Sequence, residues 1–218
     1  MQLSERAAAQ VKLVGGRLCL DFVNTVGGRN PAPEGRKKDP LAVVIRADKL
    51  GDYFDLLAWG RHVGLLTETA AQALAREARQ HEREAAVVWQ RAIALREAIY
   101  RLCAAVIHRM PPRAADLELL NQELNVAHGR VRLGTGEENF VWEWMDTKNA
   151  LDQMLWRIAD SAAELLTTGD LTRLRYCPGE DCGWLFEDTS KNSRRQWCDM
   201  QTCGNLAKVR RFRQRQGS

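Results

Sequence analysis

The sequence predicts a mainly α protein with small antiparallel β elements, an α+β chain in which a helical N-terminal domain precedes a compact four-cysteine module. Three observations predict this fold class. Apolar residues recur every three or four positions through most of the region 48–168, short alternating stretches flank glycine-rich turns, and four of six cysteines fall within 27 residues near the C-terminus. The chain has 218 residues, 45% of them hydrophobic, and can form a core without disulfides.

The first element is a predicted β-hairpin. Val11–Val14 and Arg17–Val26 are largely apolar and flank Gly15-Gly16, and paired glycines suit a two-residue hairpin turn. The Arg17–Val26 stretch is therefore expected to be a strand that runs through an apolar segment and ends in polar residues. This hairpin would open the N-terminal domain, which we assign to residues 1–170.

Helices dominate the rest of this domain. Apolar residues at helical spacing predict five of them: Asp48–Val63, Thr67–His81, Val88–Met110, Ala114–Ala127 and Leu151–Leu165. A second hairpin is predicted from 131–133 and 140–144, on either side of Gly134-Thr135-Gly136. The junction with the C-terminal module is short, so we expect the module to pack on the body.

Charge is distributed unevenly along the chain. Thr189–Ser218 carries eight Lys or Arg residues against a single acidic residue, whereas residues 1–170 are close to neutral. A basic end on a neutral body favours a polyanionic partner, most often nucleic acid, although a solvated basic tail is the alternative. No apolar run approaches the roughly 18 residues of a membrane span, and no secretory signal is evident, so we expect a cytoplasmic protein without membrane contact.

Four cysteines form two C-x4-C pairs, Cys177 with Cys182 and Cys198 with Cys203, separated by 15 residues. Such pairs bring four thiolates around one tetrahedral ion, and the spacer is long enough for a short hairpin. Disulfides, an iron–sulfur cluster and a redox pair are the alternatives, but the lack of a secretory signal and of a C-x2-C step argues against them. We predict a structural Zn²⁺ with no open position for chemistry.

A basic helix is predicted from Thr202 to Arg215, directly after the last cysteine, with Asp199 or Thr202 at its start. At about 100° per residue, Lys208, Arg211 and Arg215 fall within one narrow arc of this helix. A helix that is fixed by a metal at one end and basic along one face can present cations to a phosphate backbone.

The opposite side of this helix carries Leu206 and Val209, which we expect to pack on the hairpin of the module. Two arginines in the preceding loop add donors to the basic face. The candidate nucleic-acid-binding residues are Arg194, Arg195, Asn205, Lys208, Arg210, Arg211, Arg213 and Arg215. In the alternative interpretation, the basic helix docks on an acidic face of its own body.

These C-terminal residues resemble the CGNR zinc finger. The motifs that carry the resemblance are Cys182…Phe186-x-Asp188-x-Ser190, Arg194-Arg195-x-Trp197-Cys198-x-Met200 and Cys203-Gly204-Asn205-x-x-Lys208. The resemblance assigns residues 171–218 to a zinc finger built from a β-hairpin and a helix. The arginine that gives the family its name is Leu206 here, so any contact that this arginine makes with DNA or an acidic partner in relatives is missing, while the four cysteines are kept.

The N-terminal run Leu18-Cys19-Leu20-Asp21-Phe22-Val23-Asn24-Thr25 resembles the opening signature of the ABATE domain. That domain accompanies the CGNR finger in bacterial proteins regarded as stress-induced transcription regulators. The resemblance implies the class of transcription regulators and, together with the basic helix, favours DNA as a partner; we hypothesise that the N-terminal domain acts as a sensor or dimerisation module. A small-molecule effector and a homodimer are both compatible with it.

Few residues suggest catalysis. The four histidines are scattered without an H-E-x-x-H pair, and no nucleophile motif is present, so we predict no catalytic residue and no enzyme. Asp21, Asn24 and Thr25 form one polar cluster that could line an effector pocket; capping of local backbone groups is the alternative. Two functions stay open: a DNA-binding regulator, and a zinc-stabilised module whose basic helix binds an acidic protein.

Overall fold

The computed structural model describes residues 3–31, 43–145 and 150–216. These ranges contain seven α-helices: α1 (Leu18–Val23), α2 (Tyr53–His62), α3 (Glu68–Gln80), α4 (Glu82–Ile107), α5 (Ala114–His128), α6 (Gln153–Thr168) and α7 (Asn205–Gln216). They also contain three antiparallel strand pairs: β1 (Arg29–Pro31) with β2 (Val43–Ile45), β3 (Val131–Thr135) with β4 (Phe140–Trp144), and β5 (Leu174–Tyr176) with β6 (Leu185–Glu187). The predicted fold class is confirmed. None of the described helices is both long and apolar enough to cross a bilayer.

The five predicted helices of the body are present, with ends set by local caps. Asp52 begins α2 by accepting a hydrogen bond from the Asp55 N–H at 2.8 Å, and Thr67 begins α3 by accepting one from the Ala70 N–H at 3.2 Å. The 26-residue α4 ends at Ile107, shortly before the two prolines that cannot continue it. The periodicity of the sequence therefore located these helices, and the capping residues refine where they start.

The core of the body is built around α1. This short helix packs against α4 and α6, and its Phe22 ring lies 5.1 Å from the ring of Trp59 on α2. Cys19 and Cys103, predicted as core thiols, are fully buried. Burial raises the pKa of Cys19 to about 12, so this thiol stays protonated and acts as a small apolar side chain.

The predicted N-terminal hairpin is wrong, because Leu18–Val23 forms α1 and not a strand. The buried positions of this stretch are 19, 20, 22 and 23, a spacing that matches one face of a helix. Gly15 allows the chain to fold tightly onto this helix: its N–H donates to Asp21 Oδ1 at 2.8 Å, and a Cβ here would lie 2.8 Å from Leu20 Cβ.

Two fully buried arginines carry charge into this core. Arg96 forms two hydrogen bonds to Asp48, at 2.7 and 2.6 Å, and Arg29 forms two to Glu97, at 2.6 and 2.9 Å. The Arg29 guanidinium also lies 4.1 Å from the centre of the Tyr100 ring. Each buried cation therefore has a carboxylate partner, which offsets the desolvation of the guanidinium.

The C-terminal module packs directly on this body, as the short junction predicted. Asn24 at the end of α1 forms two hydrogen bonds to the backbone of Leu185 on β6: its Nδ2 donates to the carbonyl at 2.8 Å, and its Oδ1 accepts from the N–H at 3.0 Å. Nearby, Trp184 Nε1 donates to the Val26 carbonyl at 2.9 Å, and the Arg29 N–H donates to the Cys182 carbonyl at 2.8 Å. Asn24 thus joins the body to the C-terminal module by binding both backbone groups of Leu185, the groups that a neighbouring strand would otherwise bind.

Replacement of Asn24 by Ala should lower the free energy of unfolding by about 2 kcal/mol, because the buried N–H and C=O of Leu185 would lose their partners. Chemical unfolding at a fixed zinc concentration measures the change. Asn121→Ala, at an exposed position of α5, is the matched control and should change stability little. Equal stability of the two variants would contradict this account of the junction.

Candidate metal centre and basic helix

The first cysteine pair lies in the turn of the β5–β6 hairpin. Cys177 follows β5, Cys182 precedes β6, and the Cys177 N–H donates to the Trp184 carbonyl at 2.8 Å, which closes the turn. The expectation of a hairpin within the spacer between the cysteine pairs is therefore wrong: the spacer supplies only β6, and its partner strand precedes the first cysteine. Gly179 lets this turn approach the second pair, since a Cβ here would lie 3.1 Å from Cys203 Sγ.

Asp188 organises the loop that carries the chain to the second pair. Its Oδ1 accepts from the Ser190 N–H at 2.9 Å and from the Ser190 hydroxyl at 2.5 Å, and its Oδ2 accepts from the Arg195 N–H at 2.9 Å. Hydrogen bonds from Ser190 lower the pKa of the Asp188 carboxyl. The sequence motif contained both residues, but spacing alone gave no indication that they fix this loop.

The four cysteine sulfurs converge at one point. Their Sγ atoms all lie within 4.8 Å of one another; Cys182 and Cys198 are 3.4 Å apart, and Cys198 and Cys203 are 3.7 Å apart. Sulfurs at about 2.3 Å from a tetrahedral ion are about 3.8 Å apart, whereas a disulfide needs about 2.05 Å. The spacing matches four ligands of a single metal ion.

Hydrogen bonds within the cluster divide the four thiols unequally. Bonds from the Cys182 and Cys198 thiols hold the pKa of the Cys177 thiol well below its usual value, and they raise the pKa of Cys182 and Cys198 themselves. The backbone N–H groups of Cys198 and Gly179 also lower the pKa of Cys177. Such N–H groups offset the negative charge of a four-thiolate centre. The donor set suits a soft or borderline ion such as zinc, because Mg²⁺ and Ca²⁺ prefer oxygen ligands.

The metal centre and the basic helix are joined by one wide turn, Met200–Gly204, which contains Cys203. Asp199 caps this turn as predicted, accepting from the Gln201 N–H at 2.9 Å. Gly204 packs closely beneath it, since a Cβ at this position would lie 2.6 Å from Met200 Sδ. The helix α7 then begins at Asn205, three residues later than predicted.

Most of the predicted nucleic-acid-binding residues lie on the surface. Six of the eight are exposed residues on or beside α7: Arg194, Asn205, Lys208, Arg211, Arg213 and Arg215. Arg210 is also exposed and forms an ion pair with Glu180. The helix contains five Lys or Arg residues and no acidic residue. A cleft of about 450 Å³ separates it from the first cysteine turn, with Trp184 and Trp197 in its wall.

Arg195 differs from the other predicted contacts because its guanidinium forms hydrogen bonds within the fold, to the module and to the body. Its Nη2 donates to the carbonyls of Val14, at 2.9 Å, and Cys198, at 2.5 Å, and its Nε donates to the Trp197 carbonyl at 3.1 Å. The guanidinium also lies 4.4 Å from the centre of the Phe186 ring. The sequence could not distinguish this arginine from its neighbour, since both follow the same polar loop.

Leu206 and Val209 do not pack on the hairpin, contrary to the expectation from the sequence. Leu206 is 60% exposed, Val209 46% and Phe212 61%, and no side chain of α7 is buried. At about 100° per residue, these three side chains form one apolar stripe beside the basic arc. Between 205 and 216, α7 therefore presents both a basic and an apolar surface to its surroundings.

The polar cluster at the end of α1 makes contacts within the fold. Asp21 accepts from Gly15, Asn24 binds Leu185 as described above, and Thr25 Oγ1 donates to the Phe22 carbonyl at 2.7 Å. Asn24 and Thr25 are fully buried, and burial raises the pKa of the Asp21 carboxyl. Asp21 and Thr25 thus bind local backbone groups, as the capping alternative expects, whereas the backbone partner of Asn24 lies in the C-terminal module. None of the three residues borders the cleft beside α7.

Two family models match the chain. The ABATE model, described as "putative stress-induced transcription regulator", matches residues 16–169, well over half of the sequence. This protein belongs to the ABATE family. A second model, the CGNR zinc finger, matches residues 173–216 of this ABATE protein and includes all four converging cysteines. Neither model describes an enzyme family, and a search of curated proteins gave no match.

Purified protein should contain one zinc per chain and no stoichiometric iron, because four thiolates at this spacing hold one tetrahedral ion and zinc is the usual occupant of such structural sites. Elemental analysis by mass spectrometry measures both metals. Cys198→Ser should lose most of the bound zinc, whereas Cys103→Ser, a buried cysteine of the body, should keep it. Zinc-free wild-type protein, or a Cys198→Ser variant that retains a full equivalent, would contradict the assignment.

Proposed function

We propose that this protein is a DNA-binding transcription regulator in which a structural Zn²⁺, held by Cys177, Cys182, Cys198 and Cys203, positions α7 on the phosphate backbone. One observation carries the proposal. An exposed helix with five basic and no acidic residues begins two positions after the last cysteine. Its base is therefore fixed by the metal centre while its side chains stay accessible to a polyanion.

The arrangement of charge on α7 supports phosphate contact. Lys208, Arg211 and Arg215 occupy an arc of about 60° along the helix, so all three can face the same groove edge. Arg194 lies on the adjoining loop and adds a further exposed cation. Asn205 is exposed and could reach a base edge, although its Nδ2 donates to the Gln201 carbonyl at 3.2 Å in the structure.

Zinc in this role is structural. Four thiolates leave no coordination position for substrate or water, so the ion contributes to folding and does not supply a catalytic centre. Reduced thiols of this kind persist in the cytoplasm, which is where we place the protein. The N-terminal domain would serve as the sensor or dimerisation module that relays a signal to α7.

The apolar stripe on α7 supports a second candidate function. Leu206, Val209 and Phe212 are largely exposed, and protein partners bury such side chains more effectively than a phosphate backbone does. In this alternative, α7 binds an acidic protein surface through its basic arc and its apolar stripe together. A measurement of DNA binding separates the two candidates. The regulator requires only the basic arc of α7 to bind DNA, whereas binding of a protein partner would also require the apolar stripe.

The variant Lys208→Ala/Arg211→Ala/Arg215→Ala should weaken binding to duplex DNA and reduce the slope of log K against log salt by about 3, since each lost phosphate contact contributes about 0.9. A fluorescence anisotropy titration from 50 to 300 mM salt measures both quantities. The matched control is Arg76→Ala/Arg83→Ala/Arg157→Ala, which removes the same charge from exposed positions of the body.

The control should keep the wild-type slope. Wild-type protein that fails to bind duplex DNA at 50 mM salt would overturn the regulator. A protein that binds DNA equally well with and without the three cations of the arc would overturn the proposed contact surface.

A further inference from the structure

The hairpin of β3 and β4 exposes large apolar side chains. Phe140 is 72% exposed, Trp142 is 73% exposed and Leu133 is 58% exposed. Leu133 lies opposite Trp142 in the register, and alternation places Phe140 on the same face of the sheet. At the base of the hairpin, Trp144 stacks on Trp156 of α6 with 6.5 Å between ring centres. The base of the hairpin is thus anchored on the body, while its outer half carries an apolar face that the described part of the chain leaves exposed.

One edge of this hairpin is also unpaired. At the two ends of the hairpin, the Gly136 N–H donates to the Asn139 carbonyl and the Met145 N–H donates to the Arg130 carbonyl. With the register of the strands, these bonds show that the odd-numbered residues of β4 direct their backbone groups toward β3. Because hydrogen-bonding direction alternates along an antiparallel strand, the N–H and C=O groups of Phe140 and Trp142 point to the outer edge. Among the described residues, no other strand pairs with that edge.

A two-stranded hairpin of this kind is marginally stable in water unless further strands or a packed face support it. Here the support from α6 reaches only the base, and the outer residues combine an open edge with exposed aromatic rings. Such edges are templates for strand addition, and contiguous exposed apolar patches mark interaction surfaces.

We propose that β4 pairs antiparallel with β4 of a second copy of this chain, so that the two hairpins form one four-stranded sheet about a two-fold axis. The edge is self-complementary. In a register centred on Val141, Phe140 of each copy lies opposite Trp142 of the other, on the same face of the sheet, and such cross-strand aromatic pairs are favourable. Glu143, the charged residue of β4, would then lie opposite Asn139, so no like charges meet.

The size of the patch agrees with this occupant. A fully buried aromatic side chain covers about 150–250 Å², so Phe140 and Trp142 still offer roughly 250–300 Å² per copy at their observed exposure. Complete burial of these rings in two copies would account for at most roughly 500–600 Å², about half of the ~1,200 Å² at the lower end of stable interfaces. Val141 and the newly paired backbone of β4 add to this area.

A dimer of this kind does not depend on DNA binding. It would, however, give the protein two copies of α7 related by a two-fold axis. Regulators with that symmetry recognise two half-sites of a palindromic DNA sequence.

The test is the molar mass of the full-length, zinc-loaded protein by light scattering and sedimentation between 1 and 100 μM. Wild-type protein should be a dimer in the upper part of this range. Phe140→Ser/Trp142→Ser should raise the dimer dissociation constant at least tenfold. Phe212→Ser is the matched control, because it removes a similarly exposed ring from α7 and should leave the dimer unchanged. Circular dichroism melts confirm that each variant is folded, as expected for exposed positions.

A wild-type protein that is monomeric at 100 μM would overturn the proposal, and so would a double variant that dimerises as tightly as wild type. If Phe212→Ser abolishes the dimer while Phe140→Ser/Trp142→Ser does not, the second copy docks on the apolar stripe of α7 and the β4 edge is not the interface.

Discussion

The convergence of four sulfurs is the constraint on which the C-terminal module depends. Its own apolar core is small, consisting of the buried cysteines and Phe186 with a few partly buried neighbours. A segment of this size rarely folds on such a core without a metal or a disulfide. Both C-x4-C pairs therefore act as the centre of the module, and the hairpin, the Asp188 loop and the turn before α7 are arranged around them.

The second support of the module is the body itself. Leu174 and Leu185 belong to the main hydrophobic core, so β5 and β6 are packed as part of the N-terminal domain and not on a separate surface. Asn24 extends this continuity through backbone hydrogen bonds. The polar end of the ABATE signature thus holds the zinc finger in place, which gives a physical reason for the two family models to occur in one chain with a short junction.

Sequence reasoning located the features that depend on spacing and periodicity. The cysteine pairs, the five body helices and the β3–β4 hairpin follow from such patterns. Sequence reasoning failed where tertiary contacts decide the secondary structure. Leu18–Val23 is as apolar as a buried strand, and its packing between α4 and α6 favours the helix. Arg195 and Arg194 are adjacent residues of the same type, yet only the guanidinium of Arg195 is bound to backbone carbonyls of the module and the body. Likewise, nothing in the pattern of α7 revealed that Leu206 and Val209 would find no partner.

The way α7 is attached, through its first turn and the Arg210–Glu180 ion pair, has a mechanical consequence. Twelve residues span about 18 Å, so a rotation of 10° at the Met200–Gly204 turn would move the far end of the helix by about 3 Å. That displacement is comparable to the length of a hydrogen bond. The helix can therefore act as a lever whose pivot is the single wide turn beside the sulfurs, where Gly204 lies close to the side chain of Met200. Small strains in the pivot would be amplified at the arginine-bearing tip.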